Sequence, residues 1–196
     1  MKQPGWIRVF LIVACTSIFL QSSGAFCADL GEKESTVKFT LPPPDSAQTK
    51  TYLGLDAMGQ FKVSDIRAKI VVIELMSVRC PHCQANAPIM NDIYKTIQAD
   101  SSLADVKVIA IAIADDKTGV ETFKKQFKTP FPILVDENRE ITRTTGVKTT
   151  PTTIVVSAED AKVLFTHAGV IPDADAFVKQ VKFVKQLEAM DKENQQ

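Results

Sequence analysis

The sequence predicts an α/β fold in which a central mixed β-sheet is flanked by helices on both faces. Apolar segments of strand length alternate with amphipathic helical patterns along most of the chain, which is typical of strands joined by helices. The last two strand patterns are separated by only a short turn, which predicts an antiparallel pair. The chain has 196 residues, 45% of them hydrophobic, and this is enough for one compact domain with its own core.

Residues 1–28 have the pattern of a secretory signal peptide. Lys2 and Arg8 supply a positive start, and residues 9–20 form an apolar core that small side chains follow. That core is too short for a comfortable membrane span. We therefore expect the segment to be removed after export.

Removal of the signal would leave a mature domain over residues 29–196 in the periplasm or another extracytoplasmic space. Cleavage after Ala25 and cleavage after Ala28 are both open, although the second would put Phe26 at a position that prefers a small side chain. A lipid anchor at Cys15 is the less favoured alternative, because it would leave apolar residues in the mature protein.

The order of the predicted elements supports this fold. Residues 37–41 predict a strand that stops at a run of prolines, and segments 51–55 and 60–63 predict an N-terminal β-hairpin. The most apolar segment, 70–76, predicts a strand buried on both faces, and a helical pattern follows over 81–99. The later patterns predict a strand at 106–113, a helix at 118–127, a strand at 131–136, a short helix at 137–145 that Gly146 ends, strands at 153–156 and 163–166, and a helix at 173–190.

The charge balance excludes one class of partner. The 23 basic and 23 acidic residues give a formal net charge of zero, and no basic stripe of the kind that binds phosphate is present. We therefore expect no nucleic-acid partner.

Cys80-Pro81-His82-Cys83 lies at the junction between the central strand and the helix that follows it. A thiolate is the nucleophile in disulfide exchange, and the unpaired N–H groups at a helix N-terminus favour the anion. This position assigns the nucleophile to Cys80, whereas Cys83, one turn inside the helix, is expected to be buried and to act as the resolving thiol. Arg79 and His82 add positive or polarisable charge that is expected to lower the pKa of Cys80 further, so both modulate the site together with Pro81.

A C-x-x-C pair is also half of a zinc site, and this interpretation competes with the redox one. The other half is missing, since Cys15 and Cys27 lie at the far N-terminus and His167 stands alone. An inert structural disulfide is the remaining alternative. We expect a redox-active pair of Cys80 and Cys83 in an oxidising compartment, with no metal and no other cofactor.

The whole mature chain resembles the thioredoxin fold, and in particular the exported thiol-disulfide oxidoreductases of the TlpA and ResA type. The resemblance is carried by the predicted N-terminal hairpin, the strand that ends in the C-x-x-C motif, the strand at 131–136, Pro88 in the active-site helix and residues 146–153. It implies a thioredoxin-like domain over 29–196 that exchanges a dithiol for a disulfide with protein substrates. It also implies protein thiols and disulfides as partners, apocytochrome c among the candidates, and a membrane redox partner.

The resemblance assigns roles to three further residues. Pro151 matches the proline that is cis in this fold, and the backbone of Thr150 before it is expected to bind an incoming peptide. Glu74, six residues before Cys80, falls where thioredoxins keep a buried acid. Burial penalises a carboxylate, so its pKa is expected to rise and to let it exchange protons with Cys83. A glutamate on an exposed rim is the alternative.

Two features leave the direction and the substrate surface open. The dipeptide Pro81-His82 is the one found in the oxidase DsbA, whereas TlpA and ResA relatives mostly reduce their targets. The chain also lacks the aromatic residues that the TlpA family places where Met76 and Arg79 stand. A thioredoxin-like copper delivery protein is the alternative function, although such proteins usually space their cysteines by three residues. A peroxiredoxin is disfavoured because a second cysteine follows Cys80 so closely.

Overall fold

The structure, a computed structural model, describes residues 36–145, 147 and 149–194. The predicted signal peptide and Gly146 lie outside these residues. The helices are α1 (Ala47–Leu53), α2 (Pro81–Ala99), α3 (Lys117–Phe127), α4 (Glu140–Thr145) and α5 (Ala174–Glu193), and the strands are β1 (Ile70–Met76), β2 (Val106–Ile113), β3 (Ile133–Asp136), β4 (Thr152–Ser157) and β5 (Val163–Ala168). Short 3₁₀ turns cover Val63–Asp65 and Ser101–Leu103.

The five strands form one mixed sheet in the order β3-β2-β1-β4-β5. Strand β2 runs parallel to both β1 and β3, whereas β4 is antiparallel to β1 and to β5. The predicted mixed sheet, including its closing antiparallel pair, is therefore confirmed. All seven residues of β1 are buried, as expected for a central strand whose two faces are both covered.

Two apolar cores cover the two faces of the sheet. Val72 and Met76 of β1 pack with residues of α2, α3 and α5, whereas Ile73 and Leu75 pack with α1 and α4 on the opposite face. Because side chains alternate along a strand, Glu74 lies on the same face as Val72 and Met76, towards α2. Helices on both faces of the sheet are thus confirmed.

Helix α2 begins at the C-x-x-C motif. Cys80 is its N-cap residue and Pro81 occupies the first helical position, where the missing N–H of proline has no intrahelical partner to lose. Apolar residues at helical spacing, including Ala87, Met90 and Ile93, face the sheet. Pro88 lies inside the helix and cannot donate the hydrogen bond that the carbonyl of Gln84 would otherwise accept.

The N-terminal hairpin predicted over 51–63 does not form. Residues 47–53 are helix α1, and among residues 36–69 of the described chain the strand pairing consists of two isolated bridges, one between Leu41 and Phe61 and one between Thr36 and Lys162. The side chain of Ser46 accepts from the backbone N–H of Thr49 at 3.1 Å, which caps the helix at its start. The helix buries Thr49 and Leu53, four residues apart, on one face.

Several other boundaries differ from the predicted ones by a few residues, for example in the last two helices and in β3 and β5. Helix α4 begins at Glu140 and not at 137, because the Asp136 carboxylate accepts from the backbone N–H groups of Glu140 and Ile141. An acceptor at that position satisfies donors that a helix start leaves open. Helix α5 extends to Glu193, beyond the predicted end at 190.

Candidate active site

The loop that carries the first cysteine is held by an aspartate from the neighbouring strand. One carboxylate oxygen of Asp115 accepts from the backbone N–H of Val78 at 2.8 Å, and the other lies 3.4 Å from the Ser77 hydroxyl. Asp115 follows β2, and the carboxyl ends of the parallel strands β1 and β2 meet at one edge of the sheet. The aspartate therefore fixes the backbone that leads into Cys80.

Cys80 combines partial exposure with a stabilised thiolate. Partial burial acts to raise its pKa, but the side chain of Thr150 and the backbone N–H groups of Cys83 and His82 outweigh this effect, so the pKa of the Cys80 thiol lies below its usual 9.0. The two backbone donors are the ones expected at the first turn of a helix, whereas Thr150 belongs to the segment of the cis peptide bond before Pro151. The Cys80 Sγ also lies 3.3 Å from the backbone carbonyl of Thr150, an acceptor that suits the protonated thiol.

Cys83 has the opposite environment. It is only 1% exposed, and its burial raises the pKa of the thiol to about 12. The backbone N–H of Ser77 donates to its sulfur at 3.5 Å. Both cysteines are free thiols, and the structure thus separates an accessible, acidic thiol from a buried, weakly acidic one, as the sequence predicted.

The peptide bond between Thr150 and Pro151 is cis, which confirms the conformation that the resemblance implied. Pro151 is buried, and its carbonyl accepts from the backbone N–H of Gly169 at 2.8 Å. The contact between Cys80 and the Thr150 carbonyl places this segment against the first cysteine.

Glu74 is a buried acid. It is 3% exposed, and the alternative of an exposed rim position is wrong. Burial raises the pKa of its carboxyl to about 7, although a hydrogen bond from the Asn86 side chain opposes the shift. The Asn86 Nδ2 lies 2.8 Å from Glu74 Oε1. A carboxyl with this pKa can both accept and release a proton near neutral pH.

Arg79 and His82 are exposed, and neither side chain is among the groups that lower the pKa of Cys80. Arg79 instead points to Asp115, with 3.8 Å between its Nε and the carboxylate Oδ1. The effect of His82 on Cys80 comes through its backbone N–H. A contribution of the two side-chain charges to the reactivity of Cys80 stays a prediction.

The sequence analysis missed two residues of this site. Asp115 holds the loop before Cys80, and its position after a strand parallel to β1 was a usable signal. Asn86 is fully buried in α2 and contacts Glu74. The signal for Asn86 was a polar residue on the face of the helix that also carries Cys83 and Met90.

Within residues 36–145, 147 and 149–194, no group of three or more His, Cys, Asp or Glu side chains comes close enough together to hold a metal ion. His167 lies on β5 opposite Thr153, and its Nε2 is 3.2 Å from the carbonyl of Val170. Over the same described residues, no helix has the length and apolar character needed to span a bilayer.

Comparison with known proteins places this site in a family. A model of the AhpC/TSA family matches residues 36–164. The chain belongs to the AhpC/TSA family. It is similar to two proteins named thiol-disulfide oxidoreductase ResA. The one from Geobacillus thermodenitrificans is 28% identical over 97 residues, which are 50% of this chain and 53% of that relative. The one from Geobacillus kaustophilus is 24% identical over 124 residues, which are 63% of this chain and 69% of that relative.

Solved structures of similar proteins have the same fold as this chain. A structure assigned provisionally as thiol:disulfide interchange protein DsbE from Chlorobium tepidum has a TM-score of 0.59 and 26% identity, and the match covers 78% of this chain and 96% of that one. StoA from Bacillus subtilis has a TM-score of 0.54 at 18% identity, covering 72% and 93% of the two chains, and supports the fold alone. Together with the ResA relatives, of which this chain spans between about half and about two thirds, these structures confirm the predicted thioredoxin fold and the predicted resemblance to ResA-type thiol-disulfide oxidoreductases.

Proposed function

We propose that this protein is an extracytoplasmic thiol-disulfide oxidoreductase that exchanges its C-x-x-C dithiol or disulfide with protein substrates. The single observation that carries the proposal is the difference between the two thiols. Cys80 is accessible at a helix N-terminus with a lowered pKa, and Cys83 is 1% exposed with a pKa raised to about 12. A dithiol that attacks with one sulfur and resolves with the other needs this difference.

In the reducing direction, the Cys80 thiolate attacks one sulfur of a substrate disulfide. A bond forms between Cys80 and that sulfur, the substrate S–S bond breaks, and the second substrate sulfur leaves as a thiolate that takes up a proton. Cys83 then loses its proton and attacks the Cys80 sulfur, which releases the first substrate sulfur and leaves a disulfide between Cys80 and Cys83. The substrate gains two electrons and the protein loses two. Oxidation of a substrate dithiol is the same sequence in reverse.

Glu74 is the proton acceptor for the second step. A thiol with a pKa of about 12 is almost entirely protonated at neutral pH, so resolution requires a nearby base. Glu74 lies on the face of β1 that packs against α2, the helix of Cys83, and its pKa of about 7 suits it to the transfer. Glu74→Gln should slow resolution of the mixed disulfide near pH 7 and leave the initial attack by Cys80 largely unchanged. An unchanged pH–rate profile for resolution would remove this role.

The segment around the cis peptide bond is the proposed substrate-binding surface. The backbone of Thr150 lies next to the Cys80 sulfur, with 3.3 Å between the sulfur and the carbonyl oxygen. An extended substrate peptide that pairs with this backbone would bring its own sulfur to Cys80. The substrates proposed are protein thiols and disulfides, apocytochrome c among the candidates, with a membrane protein as redox partner.

Trapping tests the proposal directly. Cys83→Ala removes the resolving thiol, so it should accumulate mixed disulfides with substrates when expressed with its N-terminal segment intact. The double variant with Cys80→Ser is the matched control and should trap nothing. The purified protein should reduce insulin or reshuffle scrambled ribonuclease, and Cys80→Ser should abolish this activity. Stoichiometric Cu(I) binding without thiol exchange would support copper delivery instead.

The proposed location has its own test. If residues 1–28 are a cleaved signal, the exported protein should begin between about residues 25 and 29. N-terminal sequencing of the protein recovered outside the cytoplasm decides this. Retention of the apolar segment 9–20 would make the protein membrane-tethered.

A further inference from the structure

Asn86 uses both ends of its side-chain amide in the protein interior. The residue is 0% exposed. Its Nδ2 donates to Glu74 Oε1 at 2.8 Å, and its Oδ1 accepts from the backbone N–H of Ile171 at 2.9 Å. A buried amide whose nitrogen and oxygen are both hydrogen-bonded is held in one orientation.

The two partners determine which way the amide is oriented. The backbone N–H of Ile171 can only donate, so it requires the oxygen of Asn86. The NH₂ group must then face Glu74. Rotation of the amide by 180° would place two donors against each other at Ile171, so Asn86 offers Glu74 a donor and cannot offer it an acceptor. A fixed donor favours the ionised carboxylate over the neutral acid.

Among the described residues, Asn86 is the one side chain that hydrogen-bonds to Glu74. The register partners of Glu74 on the adjacent strands are Ala110 and Thr153. The hydroxyl of Thr153 is buried and has no hydrogen-bond partner among the described residues. Two titratable side chains belong to the elements next to this row: Cys83, on the helix that packs against this face, and His167, which pairs with Thr153 from β5.

The anchor of Asn86 belongs to the segment that holds the cis proline. Ile171 follows Gly169 by two residues, and the backbone N–H of Gly169 donates to the carbonyl of Pro151 at 2.8 Å. The same short connection between β5 and α5 therefore bonds both to the proposed substrate-binding segment and, through Asn86, to the buried acid.

We propose that Asn86 is the positioning residue of the buried acid, holding the Glu74 carboxyl in place and favouring its ionised form. The effect on the titration of Glu74 is independent of what the protein does. Its consequence for catalysis rests on the proposed function, in which Glu74 accepts the proton of Cys83.

The direct test is the titration of Glu74, followed by carbon-13 NMR of the side-chain carboxyl in reduced full-length protein. Asn86→Leu removes the donor at similar volume and should raise the titration midpoint of Glu74 by about one to two pH units, the size expected for loss of a hydrogen bond to a charged group. Thr153→Val, a change of similar burial opposite Glu74, is the matched control and should leave the midpoint where it is. An unchanged midpoint in Asn86→Leu would overturn the proposal.

A second variant keeps the proposal testable if Asn86→Leu does not fold. Asn86→Ala adds neither bulk nor charge, and it removes the donor to Glu74. The midpoint of the carboxyl titration should therefore rise above the wild-type value. A midpoint at or below the wild-type value would contradict the proposed role.

Kinetics separate this proposal from the proposed function. In Asn86→Leu, the pH dependence of mixed-disulfide resolution should move upward together with the NMR midpoint. In the Glu74→Gln background, Asn86→Leu should cause no further movement, because the group that it positions is gone. If the NMR midpoint moves and the resolution profile does not, Asn86 still positions Glu74, and the role of Glu74 as the base of the reaction is refuted.

Discussion

Alkylation of the reduced protein should be confined to Cys80 at neutral pH. The pKa of Cys83 is raised to about 12, whereas that of Cys80 lies below 9.0, so Cys83 has a thiolate fraction at least about a thousand times smaller near pH 7. The thiolate of the less acidic thiol, Cys83, is the more nucleophilic one. With a Brønsted coefficient near 0.5, this higher nucleophilicity offsets a factor of about thirty of the difference in thiolate fraction. Cys80 should therefore react at least about thirty times faster, before the burial of Cys83 is considered.

The assay is timed labelling with iodoacetamide followed by mass spectrometry. Arg79 and Lys95 bound a tryptic peptide that contains both cysteines, so fragment ions must assign the label to one sulfur or the other. Cys80→Ser and Cys83→Ser give the rates of the single thiols. The pH profile of Cys80 labelling should have its midpoint below pH 9, while the labelling of Cys83 should continue to increase towards pH 12.

Two results would refute this reasoning. Comparable rates for the two cysteines near pH 7 would mean that the assigned roles are wrong, and faster labelling of Cys83 would reverse them. A rate for Cys80 that keeps increasing well above pH 9 would show that the helix N-terminus does not stabilise its thiolate.

Three further predictions concern stability and potential. The pKa of Glu74 is raised from 4.5 to about 7, so the unfolded chain releases this proton first, and the free energy of unfolding should fall by about 3 kcal/mol as the pH rises from about 4.5 to about 7. Glu74→Gln should flatten this pH dependence in urea unfolding, and the same pH dependence in both proteins would contradict the prediction. Replacing Pro81-His82 by Gly-Pro should lower the reduction potential measured in glutathione buffers, since each tenfold gain in thiolate stability raises it by about 30 mV, and a wild-type value at or below that of thioredoxin would remove the argument for an oxidase. Asp115→Ala leaves the backbone N–H of Val78 without its acceptor and should cost about 1–3 kcal/mol of unfolding free energy, whereas an effect below about 0.5 kcal/mol would mean that the loop holds its shape unaided.

The sequence predicted the sheet better than it predicted the N-terminal segment. The apolar run 70–76 and the patterns around it give every strand of the sheet within a few residues, because a buried strand leaves a strong signature. Segment 51–55 contains Thr51 and Tyr52, which favour strands by propensity. The helix cap at Ser46 and the burial of one helical face outweigh that preference.

The site was predictable where its chemistry is carried by single residues, and less so where it depends on contacts. Cys80 and Cys83 follow from their spacing at a strand-to-helix junction. The partners of the buried acid do not, since Asn86 and Ile171 are 85 residues apart in sequence and meet only through the packing of α2 against the segment before α5. No local sequence pattern indicates that Asn86 has a hydrogen-bond acceptor on one side and a donor on the other.

Pro88 interrupts the backbone hydrogen bonding of helix α2 between its first turns and its C-terminal half. Beyond it, the helix is held by the apolar side chains of Met90 and Ile93, which are fully buried, and by the Asn91 amide, which donates to the carbonyl of Phe127. Before it, the carbonyl of Gln84, the residue after Cys83, lacks the backbone hydrogen bond that a residue other than proline at position 88 would donate. The turn that carries the two cysteines is therefore joined to the second half of α2 by one backbone hydrogen bond fewer than in a regular helix, which lowers the cost of bending the helix at this point.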